Sequence, residues 1–310
     1  MITQDAYRLG GLLYMPVSNK TFIEKLSKGS YPYLTSFVLD LEDAMGEAGT
    51  DILRTELTAR LEQIKEHKAE IEGILKFVRV RNIEMLKKVQ KMEGIENVDG
   101  LIMPKFDLKN CKGYIDQIKK NPQYYYMPVL ESSMLSDPRA RVANMTLLKE
   151  ELAKVEDRIL NIRVGGNDFS NLYGVRRQIP YTIYDNHLIT GILTDVVGVF
   201  GDRYIISGPV CEYISEQGMS VLEKEVDLDI LNGFTGKTAI HPMQVERINK
   251  KLRPSRADYE DAKELLNWTG ETGVKRSKDG TRMLEQACHQ RWAKSIIAKA
   301  EVYGIEEDEE

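Results

Sequence analysis

Two carboxylates in this chain stand where a metal site could be built. Glu131 ends the apolar run MPVLE, with no other charge near it in sequence. A lone carboxylate leaving an apolar strand costs several kcal/mol unless a cation or a set of donors meets it. Asp168 follows RVGGN, where paired glycines let the backbone come close to a ligand or a neighbouring strand. If the two runs are adjacent strands, the carboxylates converge. Two carboxylates with positions left for water and substrate oxygens form the donor pattern of a hard cation, Mg²⁺ above all. The plain alternative is that Glu131 pairs with a core arginine while Asp168 caps the helix that follows it.

A second acidic group lies in SFVLDLEDAMG, where Asp40, Glu42 and Asp43 crowd the end of another apolar run. Three such groups repel one another unless something positive answers them. The candidate cations are Arg79 and Arg81 in FVRVRN, which point in one direction because strand side chains alternate. An arginine there can hold a carboxylate with both arms of its guanidinium, whether that carboxylate belongs to the protein or to a substrate. Other polar residues at such exits are Ser18, Asn19, Asn82, Lys105, Ser132, Asn167, Ser207 and His241. Some apparent motifs fail. GFTGKT would need glycine at 231 to be a phosphate loop, and that residue is Leu231. VGGNDF is not a dinucleotide turn, and no nucleophile elbow stands out. His67 reads as surface, His187 and His289 as packing, and His241 alone as a site candidate.

Positioning these residues requires strand ends that face one another. Eight short apolar runs recur, at 9–17, 36–42, 76–81, 98–105, 124–132, 159–167, 204–210 and 236–242. Most lack period-two alternation, as expected of strands covered on both faces. Helical patterns lie between them, with Gly218 expected to break the one at 212–231. Eight strand–helix repeats without a linker predict an α/β fold, a closed (β/α)8 TIM barrel, with chemistry at the C-terminal strand ends. An open doubly wound sheet ranks second, since YMPVSNK is no nucleotide turn. The barrel is expected over 1–252. A C-terminal helical extension follows over 253–310, packed on the barrel or on a neighbouring subunit. It holds a helix capped by Ser255, a polar loop VKRSKDGTR and a long amphipathic terminal helix.

Composition narrows the class. The 310 residues are 42% hydrophobic and 29% charged, with a net charge of −5, as in an ordinary soluble domain. No basic run offers the counterion release on which nucleic-acid binding depends, so no nucleic acid is expected. No apolar stretch approaches the length of a spanning helix, so no membrane is expected. Three scattered cysteines and the lack of a secretory leader predict a cytoplasmic protein.

With the strand exits laid out, the chain resembles the citrate lyase β-subunit-like proteins, the superfamily of the HpcH/HpaI aldolases and malyl-CoA lyases. Six segments carry the resemblance in order over most of 9–250: YMPVSN, LDLEDA, VRVRN with Pro104-Lys105, Glu131-Ser132, GGNDF and GFTGKTAIHPMQ. Val17 stands where relatives have glycine, the segment after GGNDF with Arg176 and Arg177 is unlike theirs, and the C-terminal extension also differs. These departures are closer to a divergent bacterial branch linked with tellurium-resistance-type stress operons, and they weigh against a CoA thioester as partner.

The resemblance implies a Mg²⁺-dependent carbon–carbon lyase. It would cleave or condense a small oxo- or hydroxy-acid, free or carrier-linked, through an enolate that the metal stabilises. Glu131 and Asp168 become the metal ligands. Arg79, Glu42 and Asp43 become the catalytic candidates, and Arg79, Ser18, Lys105 and Asn167 the substrate-binding set. Relatives also imply a homo-oligomer, a trimer or hexamer. The rival from another class is a non-catalytic barrel that binds a metabolite as a regulatory or scaffold subunit; a thioester-hydrolysing enzyme would share the site.

Overall fold

The computed structural model describes residues 4–42, 50–269 and 273–306. The chain divides into two compact units, residues 1–248 and 249–310.

The first unit is the expected barrel. Its strands are β1 (Gly11–Pro16), β2 (Ser36–Asp40), β3 (Leu75–Arg79), β4 (Gly100–Met103), β5 (Tyr125–Leu130), β6 (Ile162–Val164), β7 (Ile206–Ser207) and β8 (Lys237–Ala239). All pair in parallel, in the order β7-β6-β5-β4-β3-β2-β1-β8. A parallel bridge between Gly208 and Lys237 links the two ends of that order. Leu12, Phe37, Val38, Phe77, Val78, Leu101, Ile102 and Met127 are fully buried, which is why their runs show no alternation.

Strands are shorter than the apolar runs for local reasons. β6 stops at Val164 because Gly166 already opens a helix, α7 (Gly166–Leu172), the seventh after α1 (Gln4–Arg8), α2 (Phe22–Ser27), α3 (Thr50–Glu66), α4 (Ile83–Val89), α5 (Cys111–Lys120) and α6 (Arg141–Leu152). β7 stops before Gly208 and Pro209, and proline has no N–H to give a ladder. Asn82, the last residue of FVRVRN, caps α4 by accepting from the Met85 N–H at 3.0 Å. Asn186 does the same for α8 (His187–Phe200). The helix α9 (Glu216–Leu231) runs through Gly218 without the expected break. That glycine instead leaves room for the side chain of Tyr213, whose Cβ a methyl there would strike. α10 (Pro242–Lys251) follows β8.

In the second unit, α11 (Arg256–Leu266) starts as expected, with Ser255 Oγ accepting from the Asp258 N–H at 3.1 Å. The segment expected to be a loop forms a small antiparallel hairpin, β9 (Val274–Arg276) with β10 (Met283–Glu285). Its turn closes on Asp279, whose carboxylate accepts from Ser277 and Thr281. α12 (Gln286–Tyr303) follows, and Ala262, Leu265, Leu284, Ala293 and Ile296 form the core of this unit. Among the described residues, no helix is long and apolar enough to cross a membrane.

Candidate active site

Parallel register brings the strand exits together. Asp40 ends β2 directly beside Arg79 at the end of β3. The guanidinium takes the carboxylate with two arms, Nε to Oδ1 at 2.8 Å and Nη2 to Oδ2 at 2.6 Å. Its third nitrogen, Nη1, lies 2.9 Å from Glu42 Oε2. The other Glu42 oxygen accepts from Lys105 Nζ at 2.9 Å. Burial opposes the charge on Arg79, but the hydrogen bonds and charge of Asp40 outweigh it and hold the group firmly protonated. The acidic crowd after β2 is therefore answered by Arg79 and Lys105. Arg81 turns to the backbone, donating from Nε to the Leu41 carbonyl at 3.2 Å. Asp43 lies outside the described residues.

The metal candidates meet at one cavity of about 300 Å³ over the barrel mouth, lined among others by Tyr14, Arg79, Glu131, Arg163, Asp168 and Thr238. Glu131 is 7% exposed. Among the described residues it accepts one hydrogen bond, from the Lys105 backbone N–H at 2.9 Å, and forms no ion pair. Lys105 takes a left-handed backbone (φ 49°) to aim that N–H, and Asn110 Nδ2 holds its carbonyl at 2.8 Å. Left-handed backbone in a lysine costs about 1 kcal/mol, a cost met where the fold fixes a group in place. Asp168 is in the first turn of α7 but does not cap it, and it makes no hydrogen bond or ion pair among the described residues. The expected alternative, an arginine-paired Glu131 with a capping Asp168, is not what this geometry contains.

Burial pushes the Glu131 carboxyl up to about 8, with the charges of Asp168 and Glu42 adding to the shift and the Lys105 N–H and Arg79 opposing it. A buried carboxyl raised further by the charge of a neighbouring acid is a position that a cation would relieve. The pair's all-oxygen donor set and the room beside it fit Mg²⁺, which commonly takes one or two protein carboxylates and leaves its other positions to water and substrate. No group of three or more metal-ligating acids, histidines or cysteines gathers among the described residues, in keeping with so open a site.

Gly165 makes the close packing possible. A Cβ built there would lie 2.5 Å from Glu131 Cβ and would overlap Oε2. Gly165→Ala is therefore expected to swing the Glu131 carboxylate away and weaken Mg²⁺ binding by about tenfold or more, with the fold retained. Isothermal titration with Mg²⁺ checks this, and undiminished affinity would count against Glu131 as a ligand.

The remaining sequence candidates divide. Asn167 lines the cavity beside Asp168, whereas Lys105 borders the site through its N–H and its bond to Glu42. Ser18 is exposed on the turn after β1 and does not line the cavity. His241 accepts from the Met243 N–H at the start of α10 and does not line it either. Arg177 turns into a buried ion cluster with Glu225 and Lys237. The residues that sequence reading passed over are Tyr14, Thr238 and above all Arg163, which is 1% exposed at the base of the cavity. The available signal was an arginine between two buried strand residues, Ile162 and Val164.

A family model described as the C–C bond lyases of the TIM-barrel fold matches residues 3–305. Among curated proteins no significant match is found. Solved structures share the fold at low identity. The Mycobacterium tuberculosis protein CitE, in complex with magnesium, acetoacetate and coenzyme A, is 16% identical with a TM-score of 0.62, over 95% of this chain and 99% of that one. A citrate lyase from Burkholderia xenovorans is 16% identical with a TM-score of 0.66, over 96% and 93%. RipC from Yersinia pestis is 16% identical with a TM-score of 0.57, over 82% and 99%.

Proposed function

We propose, from the premise that this chain belongs to the C–C bond lyases of the TIM-barrel fold, that it is a Mg²⁺-dependent lyase of a small oxo- or hydroxy-acid. The observation that carries this reading is the Glu131/Asp168 pair, buried at a cavity and short of a cation. Mg²⁺ held by these two carboxylates would supply the positive charge that lowers the cost of an enolate next to a carbonyl. Complexes of related folds support the choice of ion, since the M. tuberculosis citrate lyase β-subunit is bound to oxaloacetate and magnesium.

The chain's own residues have separable parts. Arg79 is a fixed cation at the cavity wall, held by Asp40 and Glu42 so that its charge does not have to be oriented during the reaction. It orients a substrate carboxylate or a developing oxyanion. Both oxygens of Glu42 already accept from cations, which gives it the part of holding Arg79 and Lys105 in place. Buried Val129 and Val164 give the cavity an apolar part of its wall.

Proton exchange tests the proposal directly. In D₂O with Mg²⁺, the enzyme is expected to exchange the protons on the carbon next to the carbonyl of pyruvate or oxaloacetate faster than metal and acid alone. No protein-dependent exchange or cleavage with any acid of a short panel would sink the lyase reading.

The raised Glu131 group adds a test that needs no substrate. Its folded value, about 8, lies above the ordinary 4.5, so the folded state keeps the proton longer than the unfolded chain. Stability is then fully present below 4.5 and falls as pH rises through 8. In metal-free buffer the melting temperature is expected to drop across this window. Mg²⁺ at saturation binds the ionised form and should flatten the drop; a slope unaffected by Mg²⁺ would contradict the pairing of Glu131 with metal.

A further inference from the structure

The charges around the cavity balance except at one place. Arg79 is matched by Asp40 and Glu42. Glu131 and Asp168 are matched once a divalent cation binds. Arg163 has no acidic partner among the described residues. It extends from β6 into the cavity at 1% exposure, donating from Nη2 to Thr238 Oγ1 at 2.5 Å and sharing a side-chain hydrogen bond with Tyr14. Its Nε and Nη1 are buried without a hydrogen-bond partner. The ring of Tyr14 lies between the two guanidiniums, 4.9 Å from Arg79 Cζ and 5.6 Å from Arg163 Cζ, and all three side chains line the cavity. Burial pulls the Arg163 group below its ordinary value, Arg79 adds to that, and the Tyr14 hydroxyl opposes both. An unpaired buried guanidinium is among the costliest things a core can hold, and an apolar residue at this strand position would avoid the cost.

We infer that Arg163, steadied by Thr238 and Tyr14, is the residue that reads a second carboxylate at the far end of the substrate, making the protein selective for short dicarboxylic oxo- or hydroxy-acids. The inference rests on the metal pair holding the near end of that substrate. Nη1, with the Nη2 hydrogen not given to Thr238, forms the end-on fork on which a carboxylate takes a guanidinium with two parallel bonds. A monocarboxylate of the same core leaves this fork unfilled in a buried site, and such sites reject ligands that lack the matching group.

The test compares oxaloacetate with pyruvate by isothermal titration, with and without Mg²⁺, on the full chain and on Arg163→Met. Wild-type protein is expected to bind oxaloacetate at least about tenfold more tightly than pyruvate. Arg163→Met should lose that preference, keep its Mg²⁺ affinity and its pyruvate affinity, and melt no lower than the parent, because a buried unpaired charge is gone. Arg163→Lys retains the charge without the fork and should keep only part of the preference, which leaves the idea testable if the methionine variant fails to fold. A preference that survives in Arg163→Met, or none in the wild type, overturns the assignment, and so does a large drop in melting temperature of that variant with both affinities unchanged. If wild-type protein fails to bind Mg²⁺, it is the metal reading that falls; the ratio of the two acids in metal-free protein still decides the part of Arg163.

Discussion

Glu131→Gln is expected to weaken Mg²⁺ binding by about a hundredfold or more and to abolish turnover, while the metal-free barrel stays as stable as the parent or gains stability. The two halves of this result have one cause. The Glu131 carboxyl is buried beside Asp168 and receives one N–H from Lys105, so its charge is a cost without the cation and a ligand with it. Glutamine keeps the size and still accepts from Lys105, but it removes the repulsion and the anionic donor together. A purely structural glutamate would behave in the opposite way, losing stability and leaving metal affinity alone. Mg²⁺ titration and thermal melting of the metal-free protein, run on the same preparation, separate the two cases. Asp168→Asn should repeat the affinity loss with a smaller effect on melting, because Asp168 is only half-buried. The downward slope of stability should also become shallower in Glu131→Gln, most clearly between pH 6 and 8, since one titrating group has been removed and Asp229 accounts for the part below 6.

The barrel was legible because its evidence is local and repeated: apolar runs without alternation, each followed by a helix pattern. The meeting of Glu131 and Asp168 at one cavity was legible for a related reason. Glu131 and Asp168 stand just past the point where β5 and β6 end, and parallel strands in a barrel end at one face. The answer to the acidic run after β2 was legible as far as Arg79, a register neighbour of Asp40. What was not legible depends on direction and closure. Arg163 lies within an apolar run, and whether a strand residue faces the barrel interior or the helix layer is set by a register that only the closed sheet fixes. Ser18 shows the same limit in reverse, a polar exit residue whose turn carries it away from the cavity. Lys105 could be named from its motif, but not that its backbone N–H, rather than its ammonium, meets Glu131. The C-terminal hairpin was missed because its strands are three residues each and held by a turn of side-chain bonds at Asp279.

Lys237→Met is expected to cost about 3–5 kcal/mol of stability, although the methionine is apolar and of similar length. Lys237 is fully buried on β8, with Nζ 2.9 Å from Glu225 Oε1 and 2.7 Å from Asp229 Oδ2. Arg177 meets the other oxygen of Glu225, the Ile183 N–H donates to that same oxygen at 2.7 Å, and Tyr184 donates to Asp229 at 2.6 Å. The cluster therefore holds two acids and two bases, and removing one base strands an acid. Asp229 is pushed up by burial to about 6 even with Lys237 present, so in the variant it should fold as the neutral acid. The deficit in urea unfolding should accordingly shrink as pH falls towards 6, where the parent's Asp229 also takes up its proton, and Lys237→Met combined with Asp229→Asn should recover much of the loss. An equal deficit at all pH values would mean that packing, not charge, sets the cost.

The position of the cluster gives it a second consequence. Between β7 and β8 the barrel closes on three backbone bonds among the described residues, from the Thr235 N–H to the Ile206 carbonyl at 2.7 Å, from the Gly208 N–H to the Gly236 carbonyl at 3.0 Å and from the Thr238 N–H to the Gly208 carbonyl at 3.2 Å. Gly208 packs so closely on Asp229 that a Cβ there would lie 2.6 Å from its carboxylate. The ion cluster thus backs the seam from the helix side. Thr238, the next residue after Lys237, points to the other side of the sheet and holds Arg163. Loosening the seam should raise amide exchange at Gly208 and Thr238 before it does so at β2 and β3. Arg163 should then lose its fixed position while Glu131, just past the end of β5 and held by the Lys105 N–H, keeps its own. In Lys237→Met under conditions where it remains folded, preference for oxaloacetate over pyruvate should therefore fall further than Mg²⁺ affinity does.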